Sequence, residues 1–256
     1  MLRYEVKTDG KPTCIDIGVA VKQPTKVKII VLNPNKRGCI YLDRWQTVKQ
    51  KGEFEARLPI TSQNVLVLIQ SQNNSNDDNI RITKLKKKPL KQHISCIKSS
   101  KKVSEFIKFA EQMSENATIL STGTYYSDGG KFRIDYLPVI KEKGAVINTP
   151  ARISNRTGRI EVSKSAFARY TVPMRMAILL HEFAHFNLNV VQKDEIEADL
   201  NALKMYLGLG YPVIEAHKSF LQVFRKNPSK QNEERYRYLK TFIDNFDKIK
   251  YRICLP

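Results

Sequence analysis

Long apolar runs, closely spaced cysteine pairs and an apolar leader are all missing from this 256-residue chain. No run approaches the roughly eighteen apolar residues that a membrane-spanning helix needs, so we expect no membrane span. Residues 1–6 lack the apolar core of a signal peptide, which predicts a protein that is not secreted by that route and stays in the cytoplasm. The 4 cysteines show no CxxC spacing, which argues against a zinc ribbon and against a disulfide framework.

Acidic residues are few relative to basic ones. Lysine and arginine number 44 against 25 aspartates and glutamates, which gives a net charge of +19 and a pI near 9.8. Such a field favours polyanions: nucleic acid, the acidic surface of a partner protein, or anionic lipid. No zinc-finger spacing and no RNP-type aromatic motif is present, so charge alone predicts only non-specific contact with nucleic acid. The hydrophobic fraction of 41% is enough for a packed core and excludes a disordered chain.

The residue pattern changes along the chain, which predicts two domains joined by a linker. Residues 1–83 consist of short runs rich in valine and isoleucine, separated by turn signals such as Asp9-Gly10, and predict an all-β, sandwich-like domain. This domain lacks a set of catalytic residue types, so it is either a docking module for assembly partners or a purely structural domain. Residues 84–101 begin with a lysine-rich, proline-broken stretch and are predicted to form a basic linker. Residues 102–256 show mainly helical periodicity with a few short strands, so the predicted fold class is α+β.

Only 4 histidines are present, and two of them stand four residues apart in His181-Glu182-Phe183-Ala184-His185. On an α-helix, positions i and i+4 lie on the same face one turn apart, so both imidazoles can point at a single metal ion. Thr171 followed by Pro173 is typical of a helix start, which predicts that this segment is helical. Zinc accepts imidazole nitrogen and carboxylate oxygen, and Glu182 is placed to act as a general base for a water at the metal.

The acidic residues that follow offer a third metal ligand. At about 100° per residue, Glu195 and Asp199 share one helical face beside an apolar stripe, whereas Glu197 falls on the opposite, polar side. We therefore expect Glu195 to be the third ligand and Glu197 to face water. Asp199 could accept a hydrogen bond from a ligating histidine and fix its tautomer. The alternative is that these acids only form a charged helix N-terminus, which the helix dipole favours.

The combination of HEFAH with Glu195-Ile196-Glu197-Ala198-Asp199 resembles the gluzincin metallopeptidases with an HExxH…ExxAD pattern. The resemblance covers about residues 100–245 and implies a mainly helical, zincin-like catalytic domain with a small sheet. It also implies a site in which Zn²⁺ is bound by His181, His185 and Glu195, with Glu182 as catalytic base and Asp199 as the outer partner of a ligand. In this family an edge strand before the metal helix holds the extended substrate, and residues 159–163 are the matching segment.

Three further residues are candidates for supporting the transition state. Membrane-embedded members of the family carry His-Pro before a downstream arginine, whereas this chain has Asn227-Pro228 and then Arg235. Asparagine can donate a hydrogen bond but lacks the positive charge that best stabilises an oxyanion. His217 is close to the motif in sequence and could assist, or it could simply pack on a helix face.

The sequence thus predicts a zinc-dependent metallopeptidase that hydrolyses peptide bonds in a protein or peptide substrate. The alternative is a structural or assembly subunit of a larger particle, such as a phage virion, that retains a metallopeptidase-like domain. In that case the protein would be virion-associated, and the basic β-domain would dock onto an acidic assembly surface or packaged DNA. An open groove along residues 159–163 would favour the peptidase, and interface-sized apolar patches would favour the assembly subunit.

Overall fold

The computed structural model describes residues 1–72, 79–92, 100–215, 217 and 229–249. The chain divides into two compact units, Met1–Lys91 and Gln92–Pro256. The first unit is built of strands, and the second combines helices with short strands, so the protein is a mixed α+β protein, as predicted. Among the helices of the described residues, none has both the length and the apolar character needed to cross a membrane.

The first unit contains two antiparallel sheets. Its strands, within the described residues, are β1 (Leu2–Lys7), β2 (Thr13–Val21), β3 (Thr25–Leu32), β4 (Ile40–Val48), β5 (Lys51–Leu58), β6 (Asn64–Ser71) and β7 (Ile80–Pro89). One sheet has the order β1-β6-β3-β4 and the other has the order β5-β2-β7. Val27, Ile29 and Val31 of β3 are buried at alternate positions, because successive residues of a strand point to opposite faces. Burial alternates in the same way along β5, so each sheet turns one face to a hydrophobic core.

The lysine-rich stretch that was predicted to begin the linker is part of a strand. β7 pairs antiparallel with β2 from Ile80 as far as Pro89. It lies at the edge of its sheet, where charged side chains are common because they face solvent, and Pro89 stands at its end, where a missing N–H costs little. The charge and the proline of this segment indicated a linker, but residues 84–89 continue the sheet. Residues 93–99 of the predicted linker lie outside the described residues.

The second unit combines helices with a four-stranded sheet. Its main elements, within the described residues, are α1 (Lys101–Asn116), β8 (Gly123–Tyr126), β9 (Arg133–Leu137), β10 (Lys141–Glu142), β11 (Ala145–Val146), β12 (Ala151–Ile153), β13 (Ile160–Ser163), α2 (Lys164–Phe167), α3 (Val172–Asn187), α4 (Glu195–Gly208) and α5 (Lys230–Ile249). The sheet has the order β12-β13-β9-β8, and β10 pairs with β11 as a separate two-stranded ribbon.

Helix α3 is held by aromatic contacts in the core of the second unit. Thr171 precedes the helix and Pro173 lies in its first turn, which confirms the predicted helix start. Phe183 stacks on Phe106 of α1 with ring centroids 4.2 Å apart, and it packs edge-on against Phe132 at 5.7 Å. Burying a phenylalanine side chain contributes about 1.5–3 kcal/mol. These contacts therefore fix the C-terminal half of α3, where the HEFAH residues lie.

Within the described residues, the edge strands of this sheet are β12 and β8, and residues 159–163 do not form an edge. β13 pairs antiparallel with β12 on one side and parallel with β9 on the other, so the prediction that this segment is an open substrate-binding edge was wrong. The N–H of Ser154 donates to the carbonyl of Arg159, which shows that even-numbered positions of β12 point toward β13. Backbone groups alternate in direction along a strand, so those of Ala151 and Ile153 point to the free edge.

Candidate active site

Helices α3 and α4 bring together the three residues that were predicted as metal ligands. His181 Nε2 lies 3.6 Å from one carboxylate oxygen of Glu195, and His185 Nε2 lies 3.5 Å from the other. The two Nε2 atoms are 3.0 Å apart. The three side chains each offer a ligand atom, and these atoms all lie within 4.8 Å of one another. This group could therefore hold a metal ion.

The second nitrogen of each imidazole ring faces an acceptor. His185 Nδ1 lies 2.7 Å from the carbonyl oxygen of Gln192. His181 Nδ1 lies 2.9 Å from a carboxylate oxygen of Asp199, although the angle falls short of a well-aligned hydrogen bond and both atoms are buried without another partner. These neighbours favour a proton on each Nδ1, which leaves a lone pair on each Nε2. Two facing lone pairs repel each other unless a proton or a cation lies between them, so the donor set fits a divalent cation.

Asp199 and Arg235 contact the group formed by His181, His185 and Glu195, which we call the ligand cluster. Asp199 is fully buried, and its second oxygen accepts a hydrogen bond from Arg235 Nε at 2.8 Å. Another guanidinium nitrogen of Arg235 lies 3.0 Å from Glu195. A carboxylate can stay ionised in a protein interior only when it is paired, and the guanidinium supplies that pairing. Because Arg235 comes from α5, three helices meet at the cluster.

Burial and charge shift the pKa values of the cluster in opposite directions. Burial lowers the pKa of His181, but the carboxylates of Asp199 and Glu195 outweigh it and raise this pKa to about 10. Burial raises the pKa of Glu195, but the two histidines and Arg235 outweigh it and hold this pKa well below its usual range. Burial also raises the pKa of Glu182, and here the neighbouring histidines offset it only in part. Glu182 is therefore the carboxyl group whose surroundings favour taking up a proton.

The ligand cluster and Glu182 line a single pocket of about 560 Å³. One wall of this pocket is β12, including Ala151 and Ile153, whose backbone groups point to the free edge. The backbone N–H of Ile153 also contacts the carboxyl group of Glu182. An exposed strand edge can bind an extended peptide as an added strand. The pocket thus combines a group that could hold a metal ion, a carboxyl group of raised pKa and a strand edge that pairs with no other strand within the described chain.

The other predicted site residues fall in different places. Arg235 lines the pocket and is paired with the two carboxylates beneath the ligand cluster. His217 is half-buried with its pKa lowered by burial, and it is not among the described residues that line the pocket. Asn227 lies outside the described residues. Glu197 lies outside the ligand cluster, where its carboxylate accepts a hydrogen bond from the backbone N–H of Val190 at 3.1 Å.

Three residues of the site were not identified from the sequence. Gln192 and Ile153 contribute through the main chain, and a main-chain contact leaves no signal in the residue type. Arg152 lines the pocket from β12, a strand of 3 residues that is too short to show periodicity.

Comparison with the models of known protein families gives no match, and a search of curated proteins gives no significant match either. The functional interpretation of this pocket therefore depends on its geometry and on the chemistry of its residues.

Proposed function

We propose that the second unit is a zinc-dependent peptidase that hydrolyses peptide bonds in an extended protein or peptide substrate. The observation that supports this proposal is the meeting of His181, His185 and Glu195 with Glu182 in one pocket. Two imidazoles and one carboxylate are a ligand set of catalytic zinc sites, where a fourth position stays open. Imidazole ligands suit zinc better than they suit magnesium or calcium, which prefer oxygen.

The proposed mechanism assigns a separate task to each residue of the site. Bound zinc would polarise the scissile carbonyl and lower the pKa of a water molecule to about 7. Glu182 takes a proton from the attacking water and later delivers it to the leaving nitrogen. Asp199 and the carbonyl of Gln192 orient the rings of His181 and His185, so that both Nε2 lone pairs stay directed at the metal.

The free edge of β12 supports binding of the substrate in an extended conformation. A peptide added along β12 would form backbone hydrogen bonds with this edge, in place of the one that the Ala151 carbonyl accepts from Thr149 Oγ1. Because the N–H of Ile153 contacts Glu182, the backbone of such a peptide would lie beside the general base. The ion pairs of Arg235 with Glu195 and Asp199 favour a role in positioning the ligands, in place of the predicted contact with the transition state.

For the first unit, we infer a sandwich-like docking domain. Its two antiparallel sheets, each with one buried face, support the sandwich arrangement. Its role in docking, the cytoplasmic location and the alternative of an assembly subunit in a virion stay predictions.

Cleavage of a peptide library by the zinc-loaded protein tests the proposed function. Mass spectrometry should detect cleavage by the wild type, and Glu182→Gln at the same zinc content should be slower by about 100-fold or more, because the general base is lost. Glu233→Gln is the matched control, since Glu233 is exposed on α5 and this variant should cleave at the wild-type rate. Equal rates for Glu182→Gln and the wild type, or no cleavage by fully zinc-loaded wild type, would contradict the proposal.

A further inference from the structure

We propose that the pocket selects substrates with an acidic side chain close to the scissile bond, and that Lys193 recognises this side chain. The proposal rests on the proposed peptidase function and adds the chemical class of the substrate.

Lys193 lies on the loop between α3 and α4, and it lines the pocket. Both of its neighbours in the chain are fixed. The carbonyl of Gln192 accepts a hydrogen bond from His185 Nδ1 at 2.7 Å, and Asp194 caps α4 by accepting one from the N–H of Glu197 at 3.0 Å. The backbone of Lys193 is therefore held beside the metal ligands, while its long side chain can still adjust to a ligand.

The ammonium group of Lys193 has no carboxylate partner within the part of the chain that the structure describes. The side chain is exposed; Glu195 is paired with Arg235, and Asp194 and Glu197 accept hydrogen bonds from the backbone. Asp194 accepts from the first turn of α4, and Glu197 accepts from the N–H groups of Val190 and Val191. A lysine in this position keeps its charge available for a ligand.

The wall formed by β12 also carries an excess of positive charge. Arg152 lines the pocket and donates to Glu161 at 2.8 Å, and Glu161 also binds Arg159 at 2.6 Å. Arg159 lies 3.2 Å from Asp135, which in turn binds Arg133 at 2.9 Å. This network contains three guanidinium groups and two carboxylates, so it carries one excess positive charge. Arg152 is the member of the network that lines the pocket.

The charged side chains that line the pocket are three basic ones, Arg152, Lys193 and Arg235, and three acidic ones, Glu182, Glu195 and Asp199, so a bound divalent cation would leave an excess of positive charge. Glu182, Glu195 and Asp199 are offset by Arg235 together with a divalent cation. A negatively charged side chain near Lys193 and Arg152 would be attracted by this excess, and a positively charged one would be repelled. The pocket therefore discriminates by the sign of the charge close to the bond that is cleaved.

Peptide binding to the zinc-loaded Glu182→Gln protein tests this selectivity separately from catalysis. The probes are fluorescein-labelled octapeptide pools in which one position at a time is fixed as glutamate, glutamine or lysine and the others are neutral. Fluorescence anisotropy should show about fivefold tighter binding of the glutamate pool than of the glutamine pool at one or two adjacent positions. The lysine pool should bind most weakly, and the preference should fade in about 0.5 M salt, which screens the charges.

Two variants in the same background identify the responsible residue. Lys193→Glu should reverse the preference, so that the lysine pool binds better than the glutamate pool. Lys204→Glu makes the same charge change on α4 outside the pocket lining, and it should keep the preference for glutamate. The proposal is overturned by equal binding of the glutamate and glutamine pools, by no binding of any pool, or by equal effects of the two variants. If the preference is present but the wild type cleaves no pool, the peptidase function fails while the recognition of acidic ligands stands.

Discussion

Replacing Asp199 with asparagine should weaken zinc binding by about 10- to 100-fold, or about 1.4–2.7 kcal/mol. Asp199 is fully buried, and its two oxygens face His181 Nδ1 at 2.9 Å and Arg235 Nε at 2.8 Å. Asparagine has no charge, and its amide nitrogen would face one of these two donors. Losing a hydrogen bond to a charged group costs about 1.5–3 kcal/mol, which matches the expected fall in metal affinity.

Competition with a chromophoric zinc chelator would give the dissociation constant of each protein. Asp244→Asn is the matched control, because Asp244 is exposed on α5 in a pair with Lys240 and should not affect zinc binding. Circular dichroism would check that both variants are folded. A folded Asp199→Asn protein that binds zinc within about twofold of the wild type would refute the proposed orientation of His181 by Asp199.

Three further predictions concern protonation, stability and thiol reactivity. Because the pKa of His181 is raised to about 10, zinc should displace a proton from this residue at pH 7–9, and zinc affinity should rise about tenfold per pH unit up to that pKa. Calorimetry in buffers of different ionisation heat would detect the released proton. Zinc binding without proton release would contradict the raised pKa. Arg175 is fully buried and donates to three carbonyl oxygens. In urea titrations, Arg175→Leu should therefore lower the free energy of unfolding by about 3 kcal/mol or more. Arg169 is exposed, so the control variant Arg169→Leu should change this free energy little. Burial raises the pKa of Cys14 to about 12, so alkylation of this thiol at pH 8 should be slow in the native protein and fast in denaturant. Mass spectrometry would follow the reaction, and fast alkylation of the native protein would contradict the burial of Cys14.

Local spacing is what made the meeting of His181, His185 and Glu195 predictable. The i, i+4 spacing of His181 and His185 depends only on helical geometry, and the structure has a helix there. The same periodicity separates Glu195, which lies in the cluster, and Asp199, which contacts His181, from Glu197, which does neither. The strand order in the sheet of the second unit was less predictable. β12 has only 3 residues, and the sequence does not show whether β12 or residues 159–163 form the edge of the sheet.

Contacts between distant parts of the chain could not be predicted. Arg235 follows Asp199 by 36 positions, and only the packing of α5 brings its guanidinium to the two carboxylates. In the first unit, the lysines after residue 83 indicated a linker, because the sequence shows their charge but not their pairing with β2. Periodicity within each helix therefore identified the residues that meet in the cluster, while the groups that contact them from elsewhere required the tertiary structure.

Zinc content per chain is the measurement that tests the central claim most directly. Elemental analysis of the purified protein, after zinc is supplied and the excess removed, should give about one zinc per chain for the wild type. Glu195→Ala should hold much less, whereas Glu233→Ala, which removes an exposed carboxylate on α5, should match the wild type. A wild-type protein that retains no zinc, or a Glu195→Ala variant that retains as much as the wild type, would contradict the proposed three-ligand site.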